Sequence, residues 1–167
     1  MREQLTRSDV KKIEEEIEYR RLVVRKEALE AVKEARAHGD LNENFEYHAA
    51  KKDKNQNESR IRYLERMLKN AQVISVTTKS DEVGVNDTVQ VYIEEDDEVE
   101  NYRLVTSIRG NSLEGLISTE SPIGKAIMGR KVGDRVFVKV NEDYGYYLVI
   151  RSLEKTGEEE NDRIRSF

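Results

Sequence analysis

Cysteine and tryptophan are absent from this 167-residue chain, and proline occurs once. Without cysteine there is no disulfide and no thiolate metal site. With only His38 and His48 as imidazole donors, a zinc centre is not expected either. No apolar run approaches the length that spans a bilayer, and the start Met1-Arg2-Glu3-Gln4-Leu5-Thr6 carries no apolar signal core, so a cytoplasmic protein with no membrane segment is expected. A strongly basic domain is missing too. Residues 1–75 hold 17 Lys and Arg against 15 Asp and Glu, and residues 76–167 hold 12 against 19. That balance speaks against a generic DNA binder.

What is present is charge. Charged residues make up 38% of the chain and hydrophobic ones 37%, with a mean hydropathy of -0.80. This is too polar for one large core, yet richer in apolar residues than a disordered chain. A long solvated helical element beside a small globular domain fits the length and the composition.

Residues 8–38 read as one long helix, with Ser8 as N-cap and Asp9 in the first turn, where the helix dipole favours a negative charge. Val10, Ile13, Ile17, Val24, Ala28, Ala31 and Ala35 make an apolar stripe that Arg20 interrupts. Neither proline nor glycine falls inside, and 31 residues at 1.5 Å each give about 45 Å. A second helix, about 44–72, carries a heptad seam of Tyr47, Ala50, Lys54, Asn57, Ile61, Leu64, Leu68 and Ala71. Its polar members Lys54 and Asn57 are expected to face Glu27 or Glu30 and to fix register. The two helices are adjacent in sequence and joined by a short glycine-containing turn, which predicts an antiparallel coiled-coil hairpin.

The turn is the chemically distinctive stretch. Gly39 is expected to end the first helix, and Asp40 and Asn42 to offer cap oxygens to the second. Asp40 and Glu43 are three residues apart and can face the same way. Two readings stay open: a capping box, in which these side chains satisfy orphan amides, or two carboxylates that hold a hard cation. Magnesium is commonly bound by one or two carboxylates with a partner supplying the rest. Arg36, Lys51, Lys52 and Lys54 lie near the tip, beside His38. They are either the wet face of the hairpin or contacts to a nucleic-acid backbone, and His38 is more readily a helix cap than a metal ligand.

After residue 73 the pattern changes. Val73 to Val76 reads as a short strand and Thr77 to Asp87 as a polar connection with Gly84 and Asn86 as turn formers. The predicted domains are 1–76, 77–155 and an acidic tail, 156–167, expected to be disordered. Alternating runs predict strands at Thr88–Ile93, Tyr102–Ile108, Arg135–Val140 and Tyr146–Leu153. The acidic segment Glu94 to Glu100 is expected to be a solvated hairpin loop. Ser121 followed by Pro122 predicts a short helix to Met128, closed by Gly129. The fold class is therefore α+β: a helical hairpin plus a small antiparallel sheet with one helix.

The run Glu34-Ala35-Arg36-Ala37-His38-Gly39-Asp40-Leu41-Asn42-Glu43-Asn44-Phe45-Glu46-Tyr47-His48-Ala49-Ala50 resembles the tip signature of the Gre family of bacterial transcript cleavage factors. The run from Ile117-Ser118-Thr119-Glu120-Ser121-Pro122 to Gly129 resembles the same family's C-terminal signature. Likeness extends from about residue 5 to 153. The resemblance implies an N-terminal coiled coil and an FKBP-like C-terminal domain. It also implies a monomer that binds backtracked bacterial RNA polymerase, with the coiled coil reaching through the secondary channel to the extruded RNA 3′ end. Asp40 and Glu43 would then be the tip acids that hold a Mg2+ shared with the polymerase and orient the attacking water. The protein would stimulate the polymerase's own RNA cleavage and would not be an enzyme alone.

Four departures from the family pattern stand out. Lys26 replaces a usual proline, Phe45 a usual alanine, Lys51-Lys52 is unusually basic, and the 141–145 turn lacks a proline. Among rivals, a channel-occupying inhibitor would share the fold. A prolyl isomerase is disfavoured by the absence of tryptophan and the presence of only three phenylalanines. A structural coiled-coil adaptor would leave the acids as caps.

Overall fold

The computed structural model describes residues 2–39, 44–75, 79–156 and 164. Two compact units emerge, one spanning Ser8–Ala71 and the other containing Gln4–Arg7 and the residues after Ala71. The expected boundary near residue 77 and nearly all of the tail lie outside the described residues.

In the first unit the long helix is continuous but not uniform. It runs as α1 (Arg7–Tyr19), a π-helical turn (Arg20–Val24) and α2 (Arg25–Ala37). Helix α1 begins one residue before Ser8, so Ser8 lies within it, while Asp9 sits in its first turn. The π turn starts at the residue where the apolar stripe breaks. Such a turn holds more residues than an α-turn, so positions facing the partner then recur in fours: Arg20, Val24, Ala28 and Val32. Val32 is half-buried, whereas Ala31, expected on the stripe, is exposed.

Helix α3 (Phe45–Lys69) packs back against this element. At the base of the hairpin Ile13 and Ile17 of α1 and Ile61 and Leu64 of α3 are buried, as the heptad pattern requires, but beyond them Met67 is buried while Leu68, expected on the seam, is half-buried. Towards the middle the seam turns polar. Arg60, 2% exposed, donates to Glu16 from Nε at 2.8 Å and from Nη2 at 3.2 Å, and Arg20 Nε donates to the same carboxylate at 2.8 Å. Burial opposes the charge on Glu16, but the hydrogen bonds and charges of Arg60 and Arg20 together hold its carboxyl below the ordinary value.

Asn57 does not meet Glu27 or Glu30. It accepts from Arg20 Nη1 at 3.0 Å and donates to the Arg20 carbonyl at 3.3 Å. In an antiparallel hairpin, residues about equally far from the turn oppose one another, and Asn57 and Arg20 stand nearly symmetrically about Gly39. The Arg20 carbonyl also accepts the Arg25 amide, the i+5 bond of the π turn, so Asn57 braces the irregular turn from across the seam. Arg25 and Glu58 add a two-pronged pair at 2.7 and 2.9 Å.

The second unit is built on a mixed five-stranded sheet, in spatial order β5 (Leu116–Ser118), β4 (Glu98–Val105), β3 (Thr88–Ile93), β7 (Gly145–Glu154) and β6 (Arg135–Lys139). Four strands are antiparallel as expected, but β5 pairs in parallel with β4, Leu104 opposite Ile117. One face carries the core: Val89, Val91, Leu104, Val136, Val138, Leu148 and Ile150, closed by Ile127 of helix α4 (Pro122–Ile127). Ser121 caps α4 by accepting the Gly124 amide at 3.1 Å. Gly124 itself is required by space, since a Cβ there would lie 1.9 Å from the Ser118 carbonyl oxygen.

Several local expectations change. Strand β4 begins at Glu98, so the acidic loop shrinks to Glu94–Asp97. Its Glu94 pairs with Arg135 at 2.8 Å, and Glu95 accepts from the Tyr144 hydroxyl. Strand β4 also ends at Val105, where a 3-10 turn at Ser107–Arg109 takes over. The connection before β3 is not a polar linker throughout: Val83, Val85, Asn86 and Asp87 are buried. Asn86 there adopts φ +76°, and Asp87 accepts the Gly84 amide at 2.7 Å. Two short strands, β1 (Glu3–Leu5) and β2 (Ala71–Val73), form a separate two-stranded sheet. The first was not expected, and the second begins two residues earlier than predicted.

Candidate functional site at the hairpin tip

Both helix ends that frame the turn are defined. Helix α2 stops at Ala37, with His38 at φ -90°, ψ 1° and its amide on the Ala35 carbonyl at 3.2 Å. Gly39 follows at φ +147°, a backbone state open to glycine. Asp40, Leu41, Asn42 and Glu43 lie outside the described residues, so neither tip acid is placed.

Helix α3 is capped by Asn44, not by Asp40 or Asn42. Its side-chain oxygen accepts the Tyr47 amide at 3.0 Å, and its backbone is extended at φ -87°, ψ 93°. The same side chain donates from Nδ2 to the Ala35 carbonyl at 2.6 Å. Ala35 is fully buried, and its small side chain allows this close approach of the two helix ends. The sequence did hold a signal for this cap: an asparagine directly before Phe45-Glu46, with the acid in the first turn.

Around this clamp the tip residues fall into two groups. Arg36, in the last turn of α2, lies with its guanidinium 5.5 Å from the centre of the Tyr47 ring. A hydrogen bond from Arg36 holds the Tyr47 hydroxyl below its ordinary pKa, and the charges of Lys51 and Lys54 act in the same direction. Arg36 is thus brought to the Tyr47 ring. Lys52 instead lines a shallow groove of about 450 Å3 along α3 with His48, Lys51, Asn55, Gln56 and Ser59. His38 Nδ1 stands 3.3 Å from Glu46 in an exposed pair, and Phe45 is 87% exposed. The tip therefore offers cationic side chains on more than one face and an unshielded aromatic ring. This combination suits phosphates and bases, which are bound by charge and by stacking. Among the described residues no group of three or more His, Cys, Asp or Glu is arranged to hold a metal.

Comparison with known proteins bears on residues 3–73 and 77–154. Residues 3–73 match the family described as "Transcription elongation factor, N-terminal", and residues 77–154 match "Transcription elongation factor, GreA/GreB, C-term". The transcription elongation factor GreA of Thermoanaerobacter pseudethanolicus is 49% identical over 137 residues, 81% of this chain and 87% of the relative. That of Clostridium acetobutylicum is 42% identical over 147 residues, 87% and 93% of the two chains. Among solved structures, the GreA factor homolog Gfh1 of Thermus thermophilus is 25% identical with a TM-score of 0.43, covering 92% of this chain and 99% of that one.

Proposed function

The chain belongs to the GreA/GreB family of transcription elongation factors, and from that premise we propose that it rescues backtracked bacterial RNA polymerase by stimulating the polymerase's own cleavage of the nascent RNA 3′ end. In this reading the hairpin enters the secondary channel and presents its tip to the active centre. The protein acts as a monomer and is not an enzyme alone. Asp40 and Glu43 supply hard oxygen donors of the kind magnesium takes. Two carboxylates leave most of its coordination sphere to water and to the partner, which fits an ion shared with the polymerase. Such an ion, when bound, lowers the pKa of water and neutralises charge on a phosphodiester.

The observation that carries this reading is the cap. The bland explanation of Asp40-x-x-Glu43 is a capping box at the start of α3, but Asn44 fills that position and bonds the Tyr47 amide. That the N-cap of α3 is supplied by Asn44 supports reading the two acids as metal donors. Arg36, Lys51 and Lys52 serve the extruded RNA through its phosphates, and exposed Phe45 is available to an unstacked base. Gel analysis of RNA length in backtracked complexes, with this protein and Mg2+ added, tests the proposal. Shortening from the 3′ end is expected. Slowed elongation with no shortening would instead make the chain an occupant of the channel that inhibits.

A further inference from the structure

On one side of the hairpin shaft a groove of about 560 Å3 lies between α1 with its π turn and the returning α3. Ile17, Leu22 and Leu68 give it an apolar strip, and Glu14, Glu18, Arg21 and Glu65 rim it. Two irregularities put leucines there. Leu22 belongs to the π turn, a form of turn often found at functional sites, and is 65% exposed. On α3 Met67 is buried and Leu68 only half-buried. A single exposed leucine is ordinary, but this one extends a strip that starts at Ile17. Glu14, Glu18 and Leu22 recur every four residues, so the groove follows the helix axis for about 12 Å.

The rim has a sign: three carboxylates against one guanidinium, and Arg21 is already paired with Glu65. Among the described residues Glu14 and Glu18 form no ion pair with a neighbour, and at i, i+4 they repel each other. A cation from outside would relieve that repulsion. Helices offer no free backbone edge for an added strand, so a groove of this shape takes a helix. A second copy laid face to face would bring the same acids together. We infer that the groove seats a basic amphipathic helix of RNA polymerase, with apolar residues on Ile17, Leu22 and Leu68 and Lys or Arg side chains on Glu14 and Glu18. This rests on the function proposed above. Leu22 is 17 residues from Gly39, about 25 Å along the helix, so the contact holds the shaft and takes no part in the chemistry at the tip.

Three full-length variants test it: Leu22→Ser, the double variant Glu14→Gln with Glu18→Gln, and Leu29→Ser. Leu29 is also exposed, at 46%, but does not line the groove. Binding to backtracked polymerase complexes is read by fluorescence anisotropy of the labelled chain, with maximal cleavage at saturation and helicity measured alongside. Leu22→Ser is expected to weaken binding about tenfold. The double variant should weaken it about threefold and flatten its dependence on salt, while Leu29→Ser stays within about twofold of wild type. Maximal cleavage and helicity are expected to be unchanged in all three, since neutralising Glu14 and Glu18 removes a repulsion from the helix. A photo-cross-linking residue in place of Leu22 should capture a polymerase peptide with Lys or Arg among apolar residues spaced by three and four. Wild-type binding by both groove variants, an equal loss in Leu29→Ser, or a cross-link to RNA or to a second copy of the chain would overturn the inference. A wild type that binds without stimulating cleavage would refute the cleavage reading and leave the groove to be judged by anisotropy; no binding at all would overturn both.

Discussion

Exchanging Glu16 for glutamine removes a carboxylate that holds Arg60 and Arg20 in the seam of the hairpin. Arg60 is 2% exposed and makes two bonds to Glu16, while the Glu16 side chain retains 23% exposure. Removing one partner of a fully buried ion pair costs about 3–5 kcal/mol. Partial solvent access on the acid side reduces this, so a loss of about 2–3 kcal/mol is expected for Glu16→Gln. With a urea slope of about 1.5 kcal/mol/M, the helical transition followed at 222 nm should move down by about 1.5 M.

The pH dependence gives an independent check. Because the folded-state pKa of Glu16 is lowered, its contribution is complete above the unfolded value of about 4.3 and is lost as pH falls through the folded value. The gap between wild type and Glu16→Gln should therefore close in acid and not in alkali. Adding Arg60→Met to Glu16→Gln should recover part of the loss, since a buried charge is removed along with its missing partner. A change below about 0.5 kcal/mol at neutral pH, within the range of an ordinary surface substitution, would show that the Glu16, Arg20, Asn57 and Arg60 cluster does not hold the hairpin.

Two further outcomes are expected. Gly124→Ala places a methyl group against the Ser118 carbonyl at 1.9 Å and should destabilise the sheet unit by at least about 2 kcal/mol, read by thermal unfolding; an unchanged transition would show that the β5–α4 turn yields freely. Arg36→Ala removes the hydrogen bond that lowers the Tyr47 phenol, so the midpoint of one tyrosine should move upward in an NMR titration with labelled ring carbons, and titration curves identical to wild type would dissociate Arg36 from Tyr47.

Long-period features were legible in the residues themselves. The seam from Tyr47 to Leu68, the strand Thr88–Ile93 and the Ser121-Pro122 start of α4 follow from side-chain periodicity and cap chemistry that act within a few residues. The π turn was visible only as a flaw, Arg20 in an apolar stripe. Its bracing by Asn57 depends on pairing across 37 residues, which the pattern of one helix does not contain. Strands β1 and β5 are three residues each, too short for alternation to register. The burial of Val83 to Asp87 was masked by polar composition: Asn86 and Asp87 enter the interior because Arg109 donates to Asn86 at 2.7 Å and Lys155 to Asp87 at 2.6 Å. At the tip, the choice of cap turned on which of two asparagines begins the helix. Asn44 wins because its amide also finds Ala35, a contact set by the opposing helix.

The most direct measurement of the central claim is the rate of transcript cleavage by backtracked polymerase with Asp40→Asn and with Glu43→Gln, alongside competition of each variant with wild type for the polymerase. Cleavage is expected to fall by about a hundredfold or more in both, with competition unchanged within about twofold. Wild-type cleavage by both variants would contradict the claim and leave the two acids without a part in the chemistry.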